Sequence, residues 1–82
     1  MTEIKDLKQQ CRDFYHEKCI VCGRRSRIVH EIIPRSSGNI AINLDNMVVL
    51  CELCHGYAHS VGSEVAEETL KLYQQRAIKR WL

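Results

Sequence analysis

The sequence predicts a small α+β fold with a cross-linked core and a helix on each flank. Three observations predict it. The chain has 82 residues, and so small a chain buries too little surface to dispense with a staple. Two Cys-x-x-Cys pairs, Cys19–Cys22 and Cys51–Cys54, stand far apart in sequence and can supply that staple. Short β-branched runs alternate with stretches of helical periodicity. Residues 1–82 read as one domain with a core over 19–59.

Taken in order, residues 3–17 predict an amphipathic helix, because Ile4, Leu7, Cys11 and Phe14 or Tyr15 recur at helical spacing. Cys11 lies on that apolar face and reads as a buried core thiol rather than a metal ligand. Residues 19–25 form a tight Cys-x-x-Cys-Gly turn, in which Gly23 lets both thiolates face one ion. Residues 27–33 are β-branched and predict a strand, ended by Pro34 and followed by a loop over 36–39. Residues 47–50 predict a second short strand. A helix over 52–60 places His55 and His59 one turn apart on one face. Val61-Gly62 breaks it, and Ser63 caps a last helix over 64–81. The stripe Ala66, Leu70, Tyr73, Ala77 and Trp81 on that helix reads as core packing, with a dimer face as the lesser alternative.

Composition narrows the class. Five cysteines are an odd number, and the polar start Met1-Thr-Glu-Ile-Lys-Asp is no apolar leader. Both argue against a secreted disulfide framework. No run approaches the roughly 20 apolar residues of a membrane span. The expectation is a cytoplasmic protein with reduced thiols. Cys19, Cys22, Cys51 and Cys54 then describe a closed tetrahedral site for structural zinc. Net charge is only +2, but it is unevenly spread. Lys18, Arg24, Arg25, Arg27 and Arg35 face the lone acid Glu31 between residues 18 and 35, and Lys71, Arg76, Lys79 and Arg80 close the chain. Basic patches beside a metal motif suit a phosphate backbone as partner. The C-terminal group equally suits the helix dipole.

Three stretches run together in a fixed order: Val29-His-Glu-Ile-Ile-Pro-Arg-Ser36, Asn43-Leu-Asp-Asn-Met-Val-Val-Leu-Cys51 and Cys54-His-Gly-Tyr-Ala-His59. With both cysteine pairs they resemble the HNH nuclease family, the ββα-metal nucleases, over residues 19 to 59. The resemblance implies a zinc-stapled ββα-metal core and hydrolysis of DNA phosphodiester bonds, leaving a 5′-phosphate and a 3′-hydroxyl. It implies that His30, His55 and His59 hold a catalytic divalent metal, with magnesium, manganese, nickel and zinc all open. It implies that Asn46 braces the loop and orients the base. Arg35 and Ser36 would lie near the scissile phosphate, and Arg24, Arg25 and Arg27 would touch the backbone further away.

Glu31 departs from the family, which usually carries a histidine there as general base. A carboxylate is the weaker proton acceptor at pH 7, with an ordinary pKa of about 4.3. Three arrangements stay open: Glu31 as base, His30 as base with the metal on His55, His59 or Asn46, and an impaired site left as a binding remnant. Taken alone, His30 reads as a satisfied strand histidine, His55 and His59 as surface residues or spare zinc ligands, and Asn46 as a cap. Their joint order favours the nuclease. The rivals are a zinc-stabilised nucleic-acid-binding module and a redox-sensing thiol protein using Cys11. DNA is the expected partner, with a homodimer or a partner protein as the alternative source of specificity, and no membrane.

Overall fold

The computed structural model describes residues 4–33 and 43–81, without the side chains of Ile4, Ser63 and Trp81. Pro34 and the 36–39 loop of the sequence reading lie outside the described residues, as do Arg35 and Ser36. Helix α1 spans Ile4–Phe14. Cys11 on its inner face is fully buried, as expected of a core thiol, and Tyr15 just past its end is buried with it. Phe14 is left more exposed and meets the Tyr15 ring edge-on at 4.8 Å.

The helix stops three residues before the expected end. Glu17 N–H donates to the Arg12 carbonyl at 2.8 Å and His16 N–H to Asp13 at 3.2 Å. This pair of bonds is a Schellman cap, a turn that needs a left-handed residue and usually recruits glycine. Here His16 (φ 57°) and Glu17 (φ 54°) adopt it instead. The chain then doubles back through the first cysteine turn. Lys18 bridges Arg25, Cys19 N–H donates to Arg24 O at 2.7 Å, and Gly23 N–H donates to Cys19 O at 2.9 Å. Gly23 has φ 79°, so its missing Cβ is what allows the turn.

Strands β1 (Val29–Glu31) and β2 (Met47–Val49) pair antiparallel, with His30 opposite Val48. Both are shorter than the runs 27–33 and 47–50: backbone pairing reaches one residue further at each end, through Leu50 N–H to Ile28 O at 3.0 Å and Ile32 N–H to Asn46 O at 2.8 Å, and side chains hold the chain beyond. Ser26 Oγ donates to Leu50 O at 2.7 Å and accepts from Ile28 N–H at 3.1 Å. At the other end Ile33 N–H donates to the Asn46 side chain. A 3-10 turn over Leu44–Asn46, absent from the sequence reading, leads into β2. Asn43 caps it by accepting Asp45 N–H at 2.9 Å.

Met47, Val48, Val49 and Leu50 are fully buried. Each such side chain contributes about 1.5–3 kcal/mol, so β2 is the spine of the core. α1 packs against it and against β1. Helix α2 spans Glu52–Ser60, as expected, and α3 spans Ser63–Trp81. Gly62, with φ 90°, turns the chain between them. α3 buries Ala66, Leu70 and Ala77, partly buries Tyr73, and packs on α2. Its Gln74 Nε2 donates to Tyr15 Oη at 3.2 Å and to Asp45 O at 2.8 Å. Sheet, flanking helices and cysteine cluster together are the small α+β, zinc-stapled ββα architecture that the sequence predicts. No helix among the described residues is long and apolar enough to cross a membrane.

Candidate metal centres

α2 carries ligands for two clusters. Cys51 is its N-cap and Cys54 lies in its first turn. The doubled-back turn of residues 19–22 brings the other two thiols to them. All four Sγ atoms lie within 4.8 Å of one another, and Cys22 Sγ is 3.5 Å from Cys51 Sγ. A tetrahedral zinc–thiolate site has sulfur–sulfur edges of about 3.8 Å, so this donor set fits the ion. Cys54 N–H donates to Cys51 Sγ at 3.5 Å. That bond, with the neighbouring thiols as further donors, holds Cys51 down at about 7. Burial, then the thiols beside it, pushes Cys54 up. One thiolate at a helix N-terminus is thus easily formed, and a bound ion would offset the cost of ionising Cys54.

The second cluster is built from β1 and the outer half of α2. His30 rises from the middle of β1 toward His55 and His59. Their ring centroids lie 5.2 and 5.5 Å from that of His30 and 4.5 Å from each other, all three pairs edge-on. One ring nitrogen from each histidine falls within 4.8 Å of the others, and His55 Nε2 is 3.1 Å from His59 Nε2. Nitrogens sharing a divalent ion at about 2.1 Å sit about 3.0–3.4 Å apart. The three imidazoles therefore fit a metal, with coordination positions left over. Burial, then the two facing rings, lowers His30 to about 4 against a smaller opposing pull from Glu31. Burial and His59 lower His55. Both rings are neutral at pH 7, the form that ligates.

Asn46 is buried at the end of the 3-10 turn. Its Oδ1 accepts Ile33 N–H at 2.8 Å and its Nδ2 donates to Ile33 O at 3.0 Å. Its own carbonyl accepts Ile32 N–H at 2.8 Å. The amide thus clamps the main chain just beyond Glu31, and both its polar atoms are engaged there. Glu31 ends β1, half-buried. It follows His30 directly in the chain, at the end of the strand that Asn46 fixes.

Arg24, Arg25 and Arg27 sit beside the first cysteine turn. Arg27 Nη1 reaches Glu17 Oε2 at 2.7 Å, and Arg25 Nη2 lies 3.7 Å from Glu17 Oε1. Two residues with roles here escaped the sequence reading. Glu17 gave no signal, since only the left-handed turn brings it to the arginines. Gln74 lies outside the apolar stripe of the last helix, and its two acceptors come from distant parts of the chain.

The family model described as HNH endonuclease matches residues 19–60, just over half of the chain. No curated protein and no solved structure matches it. The match spans both cysteine pairs, β1, β2 and all of α2, the elements that assemble the thiol and imidazole clusters, and the chain belongs to the HNH endonuclease family.

Proposed function

We propose that the protein hydrolyses phosphodiester bonds in DNA, with His30, His55 and His59 holding a divalent metal and Cys19, Cys22, Cys51 and Cys54 holding structural zinc. The convergence of three imidazoles from two separate elements carries this reading. Imidazole donors suit a transition ion such as zinc or nickel better than magnesium or manganese, which prefer oxygen. A divalent ion held there supplies Lewis-acid stabilisation of charge on the scissile phosphate and the leaving 3′ oxygen.

The chain's own groups do the rest. Glu31 accepts the proton of the attacking water at a carboxylate oxygen. Asn46 holds the main chain at Ile32 and Ile33, and so fixes the strand end from which Glu31 projects. His30 is committed as a ligand in this scheme, because it faces the other two imidazoles. Arg35 and Ser36 contact the substrate phosphate. Four thiolates suit a reducing compartment, the cytoplasm.

A plasmid-nicking assay on zinc-loaded protein with added magnesium, manganese or nickel tests this, run beside His59→Ala and Glu31→Gln. The expected outcome is metal-dependent nicking that His59→Ala abolishes. Glu31→Gln should slow it roughly 100-fold or more, the usual contribution of a general base. Full activity in Glu31→Gln would return the base to His30. Absence of nicking with every ion, from folded protein that still binds DNA, would make the chain a binding module.

A further inference from the structure

The charge of the chain is concentrated at one end of the fold. Residues 8–27 carry six cations and two acids, while the remainder carries six cations and eight acids. Both acids of the basic stretch, Asp13 and Glu17, line an open polar groove of about 590 Å³ between the end of α1 and the first cysteine turn. Arg12, Lys18 and Arg25 line it too. Most of these residues precede the matched stretch 19–60.

We propose that this groove is a docking subsite for the sugar–phosphate backbone of nucleic acid, in which the Glu17 carboxylate stands in a phosphate's place until that backbone arrives. It rests on the reading of nucleic acid as substrate. A carboxylate and a phosphate offer a guanidinium the same pair of acceptor oxygens. Glu17 divides its two oxygens between Arg27 at 2.7 Å and Arg25 at 3.7 Å. The Arg27 contact is a full hydrogen bond and is reinforced by Gln9 Oε1 at 3.4 Å. The Arg25 contact is too long for one, and the Arg25 side chain is 88% exposed. An incoming phosphate therefore takes Arg25 first, at little cost.

The left-handed pair His16 and Glu17 turns the chain back and brings the carboxylate to the arginines. Arg12 Nε donates to Arg27 O at 2.8 Å and fixes the opposite wall. Space at Gly23 is open, with no atom within 4 Å of where a Cβ would stand. A bulky backbone can approach the turn there.

The test is binding of a fluorescein-labelled 20-base-pair duplex to zinc-loaded protein, without added magnesium, across a salt series. Each phosphate contact contributes about 0.9 to the slope of log affinity against log salt. The double variant Lys18→Gln/Arg25→Gln, both lining the groove, should lower that slope by about 1–2 and weaken binding roughly tenfold. Lys79→Gln/Arg80→Gln, with the same charge loss, should change it less. Glu17→Gln should tighten binding and steepen the slope by up to about 1, as Arg27 becomes available. An unchanged slope in Lys18→Gln/Arg25→Gln, or an equal loss in the α3 pair, would overturn the subsite. Weaker binding by folded Glu17→Gln would overturn the stand-in role. Nicking measured on the same samples separates the readings: an enzyme that cuts with an unaltered salt slope loses only the subsite, whereas arginine-dependent binding without cutting loses only the nuclease.

Discussion

His30 sits half-buried between two other imidazoles, and its protonation behaviour follows from that position. Its folded pKa of about 4 lies below the ordinary 6.5. As pH falls the unfolded chain takes up the proton first, so stability is intact above about 6.5 and declines toward 4. An NMR titration of zinc-loaded protein should show the His30 ring still neutral at pH 5.5, where an exposed histidine is mostly charged. A midpoint near 6.5 would contradict the packing around it. At His16 the backbone is held in a left-handed conformation, with φ 57°. His16→Gly should stabilise the protein by about 0.5 kcal/mol, because relief of the left-handed Cβ clash exceeds the added freedom of the unfolded chain. That appears as a rise of a few degrees in Tm. Glu17→Gly relieves the same kind of strain but removes the carboxylate from Arg25 and Arg27, so its gain should be smaller.

Among the elements, α3 supports the candidate site by packing on α2 and through Gln74. Gln74 joins Tyr15 and the carbonyl of Asp45, whose neighbour Asn46 clamps Ile33. Gln74→Ala should cost about 1 kcal/mol and raise hydrogen exchange at the Ile33 amide. Unchanged Ile33 exchange would show that the 3-10 turn holds its shape without α3. The elements also differ in how legible they were. α2 could be read to the residue, because a cysteine cap opens it and Gly62 closes it. The end of α1 could not, since His16 and Glu17 take a conformation that sequence assigns to glycine. β1 looked longer than it is, because backbone pairing with β2 stops at Ile28 and Ile32 and the side chains of Ser26 and Asn46 hold the chain beyond.

At the scale of the whole molecule, the zinc staple decides whether there is a fold to describe. Removing zinc with a strong chelator should abolish the cooperative melt, and re-addition should restore it. A melt that survives complete zinc removal would show that β2 and its cover suffice. The candidate site was legible where ligand chemistry dictates spacing: the cysteine pairs and the His55–His59 step are fixed by one turn of chain each. It was not legible where a role depends on meeting a distant partner. Glu17 finds its arginines and Gln74 its two acceptors only once the chain has folded.

Cys51 and Cys54 occupy the first turn of α2, and His55 and His59 follow on the same nine-residue helix. The imidazoles are aimed by a helix whose root is anchored at the thiols. On the proposed two-metal reading, occupancy is hierarchical: the inner ion is a precondition of the outer one, and a chain that loses the first forfeits the second without any change at the histidines themselves.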